Sequence, residues 1–309
     1  MRIVFMGTSE FAVPSLRALL EAGHEIAGVW TRADKPHGRG HHLDVSPIKH
    51  AALDAGLALY QPTTLKKPEN AAEVTAISPD IVCVAAYGLI LPPVVLSAAR
   101  LGSVNVHASI LPKYRGAAPI HRAIMAGETS TGVTTMMMDE GLDTGDKLLE
   151  ERTAIGPDET YGDLHDRLSE IGARLLVETI ARLERSDCPR QPQDNAEASY
   201  APPVRKEECE IDWNQPVSRI HNRVRGVNPR PGAFTLRAGT ILRIHQTRPH
   251  PGETTEEPGR ILNGRRGLFV ACGAGVIELL VVQPAGKKPM PAADYLRGRP
   301  AQPGERLGV

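Results

Sequence analysis

Over the first 140 residues, short apolar runs alternate with helical spacing. Residues 3–6 form a continuous apolar run closed by Gly7, and Phe11, Leu16, Leu19 and Leu20 then fall on one helix face. Residues 25–30, 81–86 and 104–107 read as three further strands, and residues 133–138 as another apolar strand. Strands that alternate with helices require right-handed crossovers and a parallel sheet covered on both faces. The N-terminal part is therefore expected to be an α/β, doubly wound sheet that binds ligands near the carboxyl ends of its strands.

Between residues 160 and 183, Leu164, Leu168, Ile171, Leu175, Leu176 and Ile180 define one long amphipathic helix. Residues 189–203 are polar and contain Pro189, Pro192, Pro202 and Pro203, which is the composition of a linker. Beyond them the pattern shifts to short strands at 233–236, 241–245, 259–262, 268–271 and 276–282, separated by Gly and Pro turns. Strands this short and this closely spaced predict a small barrel or sandwich. The domain expectation is residues 1–188, a linker at 189–203, and a smaller domain at 204–309.

With 309 residues, 41% hydrophobic and 23% charged, the chain is long enough for two cores and is ordinary in composition. Its net charge is zero, but residues 204–309 carry 17 Lys and Arg against 10 Asp and Glu. The basic end is expected to meet an anionic partner. Aromatic residues are only 4%, too few for a base-stacking surface. Cys83, Cys188, Cys209 and Cys272 are scattered and form no metal or disulfide spacing. No stretch approaches the ~20 apolar residues of a membrane span, so a soluble, cytoplasmic protein without a membrane partner is expected.

Three segments carry candidate chemistry. Gly7-Thr8-Ser9-Glu10 follows the first strand, but it is not a dinucleotide fingerprint, and Glu10 would repel a phosphate. Asn105-Val106-His107 lies on a strand, so Asn105 and His107 share a face and point toward the expected ligand end. Downstream lies a turn-rich loop, residues 111–116. Asp139-Glu140-Gly141-Leu142-Asp143-Thr144-Gly145-Asp146 has four carboxylates but not EF-hand spacing. It reads either as a plain turn or as a source of a carboxylate that orients a histidine.

Asn105-Val106-His107, Ser109 to Pro112, Tyr114-Arg115-Gly116 and Gly141 to Asp146 together resemble the folate-dependent formyltransferases. Gly38-Arg39-Gly40, Ala86 to Leu91, Gln283 to Lys288 and the basic C-terminal part resemble more closely the branch of that family whose acceptor is initiator methionyl-tRNA. The resemblance implies a Rossmann-like catalytic domain, a C-terminal OB-like β-barrel, 10-formyltetrahydrofolate as formyl donor, no metal, and a monomer.

It further implies that Asn105, His107 and Asp143 are catalytic. Val84, Tyr87, Gly88, Leu89, Met138 and Gly141 would lie against the folate, together with Ser109, Ile110, Leu111 and Pro112. Lys35, Arg39, His41, His42, Arg223, Lys287 and Lys288 would meet tRNA. His41 and His42 stand where the resemblance leads one to expect lysines, and Arg230 where an aromatic is common. A histidine is mostly neutral near pH 7, which weakens a phosphate contact at those two positions. A small-amine acceptor, such as glycinamide ribonucleotide or an amino sugar nucleotide, is the competing expectation within the family.

Overall fold

The computed structural model describes every residue except 38–41 and 263–266, and leaves aside the side chains of residues 35–37 and 42–44. Arg39 and His41 therefore lie outside the described residues, as do the side chains of Lys35 and His42. The chain forms two compact units, one of residues 1–119, 131–154 and 165–201, the other of residues 120–130, 155–164 and 202–309.

The first unit is built on a seven-stranded sheet. Its strands are β1 (Arg2–Gly7), β2 (Glu25–Trp30), β5 (Leu59–Tyr60), β6 (Ile81–Ala85), β7 (Ser103–His107), β8 (Ser130–Met137) and β9 (Lys147–Ala154), in the order β5-β2-β1-β6-β7-β8-β9. The first five in that order are parallel, and β8 runs antiparallel to β7. A separate two-stranded hairpin joins β3 (Lys35–His37) to β4 (His42–Asp44). The helices are α1 (Val13–Glu21), α2 (Pro47–Asp54), α3 (Pro68–Ala76), α4 (Pro93–Leu96) and most of α6 (Tyr161–Glu184).

Strands β1 and β6 are buried along nearly their whole length, as both faces are covered. Val4, Met6, Val82 and Val84 pack with Ala71 and Val74 of α3 and Val95 of α4, and Trp30 and Tyr87 close the same cluster. The chain order reverses at β1, between β2 and β6, which is the doubly wound arrangement expected from the sequence. Two strands of this sheet escape the sequence reading. β5 has only two residues, and β9 buries only Leu148 and alternates partly exposed with exposed positions at the edge of the sheet. Residues 189–201, read as a linker, form part of this unit.

The second unit holds β10 (Ala233–Arg237), β11 (Thr240–His250), β12 (Leu268–Ala271), β13 (Val276–Pro284) and β14 (Met290–Pro291). They form an antiparallel sheet in the order β10-β11-β13-β12, with β14 also on β13. Register shifts on either side of Gln246 bend β11. The sheet curls into an OB-like half-barrel around Leu242, Ile244, Leu268, Val270, Ile277, Leu279 and Val282. Two helices are α7 (Val217–Gly226), whose Val217, Ile220 and Val224 enter that core, and α8 (Ala292–Gly298). A further helix, α5 (Pro119–Ala126), belongs mainly to this unit. The expected strand at 259–262 is reduced to isolated bridges at Arg260 and Ile261. α7 was not expected, although its apolar spacing is helical. No helix among the described residues is long and apolar enough to cross a membrane.

Candidate active site

Strand β7 delivers two of the three expected catalytic side chains. Val104 and Val106 are buried on one face, while Asn105 and His107 turn to the other. Register places Asn105 between Val84 of β6 and Met136 of β8. Asn105 is half-buried, and among the described residues its carboxamide makes no hydrogen bond. Its N–H groups remain available to an oxygen placed at the end of the strand.

His107 is buried, and both of its ring nitrogens have neighbours. Nε2 lies 2.9 Å from the Tyr114 carbonyl oxygen, and Nδ1 lies 3.6 Å from Asp143 Oδ2. A carbonyl can only accept, so Nε2 must carry a hydrogen and donate it. In the neutral ring the lone pair then sits on Nδ1, facing a carboxylate. At 3.6 Å that approach is too long for a hydrogen bond and has room for a proton to shorten it.

Asp143 takes up its position by an unusual backbone. Its φ is +54°, a left-handed conformation that aspartate tolerates better than most residues. Its Oδ2 accepts a 2.7 Å hydrogen bond from the N–H of Gly116. Gly116, at φ +112°, adopts a backbone that favours glycine. Within the same loop Asp139 Oδ1 accepts from the Gly141 N–H and the Thr144 hydroxyl at 3.0 and 2.7 Å. Asp139 thus folds the acidic turn on itself and leaves Asp143 facing the histidine. Asp139 is bonded within its own turn, and Asp143 lies beside the His107 ring.

The residues expected against the folate fall into two groups. Val84 and Tyr87 are buried in one apolar cluster, against which Leu89 and Met138 pack. The Tyr87 hydroxyl is buried with no hydrogen-bond partner among the described residues, and burial pushes its ionisation up. Gly88 is exposed on the turn after β6, and Gly141 is exposed on the acidic loop. The second group, Ser109 to Pro112, is pinned by Thr134 of β8. The Thr134 hydroxyl donates to the Ser109 carbonyl at 2.7 Å and accepts from the Leu111 N–H at 3.2 Å. Ser109 and Leu111 are buried, Ile110 and Pro112 partly exposed.

Of the residues expected to meet tRNA, Lys287 and Lys288 are exposed on the turn after β13. Arg223 is less free than expected. Its Nη1 donates to the carbonyls of Glu208 and Glu210 at 2.5 and 3.2 Å, which ties α7 to the segment before it. Next to the β3–β4 hairpin, Lys49 and Gln61 hydrogen-bond to Asp34 and, in that order, hold its carboxyl below the usual carboxylate range. Among the described residues no group of three or more His, Cys, Asp and Glu could hold a metal ion.

Sequence reasoning did not single out the residues that support Asp143. Arg115 was quoted only as part of a motif, and Gln193 fell in the supposed linker. Yet Gln193 Nε2 donates to the carbonyls of Asp143 and Gly145 at 2.9 and 2.7 Å.

A strand-end Asn and His on one face, with a carboxylate across the ring, are groups able to polarise a carbonyl and take up a proton. Residues 1–180 match the formyl transferase family and residues 203–300 match its C-terminal domain. The chain belongs to the formyl transferase family. Its relatives include the methionyl-tRNA formyltransferase of Moorella thermoacetica, 50% identical over 309 residues, which span 100% of this chain and 99% of that protein. The methionyl-tRNA formyltransferase of Heliobacterium modesticaldum is also 50% identical, over 100% of both chains. Among solved structures, a sugar 3N-formyl transferase, WlaRD, in the presence of dTDP and 5-N-formyl-THF, superimposes with a TM-score of 0.67 at 21% identity, over 93% of this chain and 99% of that one. HypX from Aquifex aeolicus, in complex with tetrahydrofolic acid, gives 0.64 at 20% identity, over 96% of this chain and 47% of that one. These two likenesses establish a shared fold.

Proposed function

We propose that this chain transfers the formyl group of 10-formyltetrahydrofolate to the α-amino group of methionine on initiator methionyl-tRNA. The observation that carries the choice of acceptor is the 50% identity, end to end, to methionyl-tRNA formyltransferases. The small-amine alternative has only fold-level likeness in its favour, to proteins about 20% identical. The protein acts in the cytoplasm, as a monomer, in the start of translation.

In the chemistry, the amine lone pair attacks the formyl carbon, a C–N bond forms, and the carbonyl electrons move onto oxygen. The half-buried Asn105 carboxamide donates to that oxyanion; loss of one such donor costs roughly 10²–10³ in rate. The ammonium so formed must lose a proton. His107, with its lone pair at Nδ1 facing Asp143, is the group to hold it, and Asp143 stabilises the resulting cation. The intermediate then collapses: the oxyanion electrons re-form the carbonyl, the bond to folate N10 breaks, N10 takes the proton that His107 held, and tetrahydrofolate leaves. Val84, Tyr87, Gly88, Leu89, Met138, Gly141 and residues 109–112 hold the folate.

The N-terminal domain, residues 1–188 with the segment that follows, carries the reaction, and the OB-like domain at 204–309 meets the tRNA. Lys287 and Lys288 contact phosphates there, and the segment with Lys35, Arg39, His41 and His42 approaches the acceptor end. Such contacts position without reading sequence. The deciding experiment offers purified protein 10-formyltetrahydrofolate with charged initiator tRNA and, separately, with glycinamide ribonucleotide. Formylation of methionyl-tRNA is expected; formylation of the small amine alone would overturn the reading.

A further inference from the structure

Arg115 is 2% exposed, and among the described residues no carboxylate lies within ion-pair distance of its guanidinium. A buried charge without a counter-ion is costly unless hydrogen bonds replace its water. Here they come from neutral amides. Nε and Nη2 donate to Gln193 Oε1 at 3.1 and 2.8 Å, and Nη2 also donates to Asn195 Oδ1 at 2.9 Å. Because a guanidinium has donors only, it fixes which end of the Gln193 amide faces it. The NH₂ end must then face the acidic loop, where it meets the carbonyls of Asp143 and Gly145.

The same segment reaches the other half of the catalytic pair. Arg115 N–H donates to the Ser199 carbonyl at 2.8 Å, and Tyr114 N–H donates to Ser199 Oγ at 2.9 Å. The Ala201 N–H returns a 2.7 Å bond to the Arg115 carbonyl. Tyr114 is the residue whose carbonyl receives the His107 Nε2–H. Gln191 and Lys147 exchange two backbone bonds of 2.9 Å just beyond the acidic loop. Residues 191–201 thus strap together the loop that orients His107 and the loop that presents Asp143. A left-handed aspartate persists only where its surroundings over-determine it, and Gln193 holds the carbonyl of that very residue.

We infer that Gln193 is a positioning residue for the reaction, anchored by Arg115, and that it acts by fixing the Asp143 backbone so that the carboxylate meets the His107 ring. This rests on the reading of Asp143 as catalytic. Gln193→Glu keeps the side-chain length and the pairing with Arg115 but removes both N–H donors to the loop; Gln193→Ala removes the side chain.

Steady-state kinetics with 10-formyltetrahydrofolate and charged initiator tRNA, beside thermal melting, test the assignment. Both variants should lose about 10- to 100-fold in kcat, with either KM changed less than about threefold, because a misplacement near 1 Å at a reacting group carries a penalty of that order. If Gln193→Ala does not fold, Gln193→Glu decides. Wild-type kcat in folded Gln193 variants, or a lowered melting temperature alone, would overturn the inference while an inactive Asp143→Asn leaves the catalytic reading standing. A fully active Asp143→Asn would overturn both.

Discussion

Gly145→Ala is expected to disable the enzyme while leaving most of its fold intact. A Cβ at this position would sit 2.0 Å from the carbonyl oxygen of Met137, a backbone atom at the end of β8. Contacts under 3.0 Å essentially never occur, so either the strand end or the acidic loop must move by at least about 1 Å. The strand end is the stiffer partner: Met137 pairs with Val104 of β7, and Met138 N–H is bonded to the Ser103 carbonyl of β7 at 2.8 Å. The loop therefore yields, and with it Asp143 two residues away. A shift of that size costs about 10² in rate, or about 2.7 kcal/mol of transition-state stabilisation. The assay is single-turnover formylation at saturating tRNA and folate, with Gly298→Ala as control, where an added Cβ meets nothing within 4 Å. A single-turnover rate constant within twofold of wild type, with an unchanged melting temperature, would refute the claim that the loop's position is set by this close approach.

Other substitutions test the remaining parts. His107→Ala and Asp143→Asn should each abolish turnover in folded protein; asparagine is the informative replacement because it tolerates the left-handed backbone that alanine would strain. Wild-type rates in either would remove these residues from the mechanism. Arg39→Ala should raise KM for tRNA and leave folate binding intact, and KM for tRNA should rise steeply with salt; independence of salt would exclude phosphate contacts. In the second unit, the two-pronged Arg122–Glu208 pair, with N–O distances of 2.6 and 3.1 Å, and then the Arg205 N–H hold the Glu208 carboxyl down at about 2. The folded value lies below the unfolded one, so the stabilisation is complete above about pH 4.5 and is lost as pH falls toward 2. Arg122→Ala should thus destabilise the protein by about 0.5–1 kcal/mol near neutrality, since the pair is partly exposed, and the difference should shrink in melts below pH 4.5. A pH-independent difference would show that Arg122 acts through packing.

The sheet was legible because β1, β2, β6 and β7 are short apolar runs that must be buried, and α6 because its apolar residues recur along one face. β9 was hidden by the charges an edge strand carries, and α7 by the Gly- and Pro-rich strands that follow it. Asn105 and His107 could be paired from their spacing alone, since a strand puts alternate residues together. Asp143 could be named only through family resemblance; nothing in its local sequence announces a left-handed backbone. Arg115 and Gln193 were illegible for a different reason. Their bond spans 78 residues, and that from Gln193 to the Asp143 carbonyl spans 50. A polar, Pro-rich stretch looks the same whether it floats in solvent or straps two loops.

That long reach sets an order of events during synthesis. A ribosome that has just completed residue 188 has already made Asn105, His107 and Asp143, and the helix α6 behind them. It has not yet made Gln193, Asn195 or Ser199, so the loops that carry Tyr114 and Asp143 are still untied. Contacts across such separations are also the slow ones to close. The supports of the His107–Asp143 pair are therefore completed only after residue 201 has cleared the exit tunnel, well after the two side chains themselves have been translated.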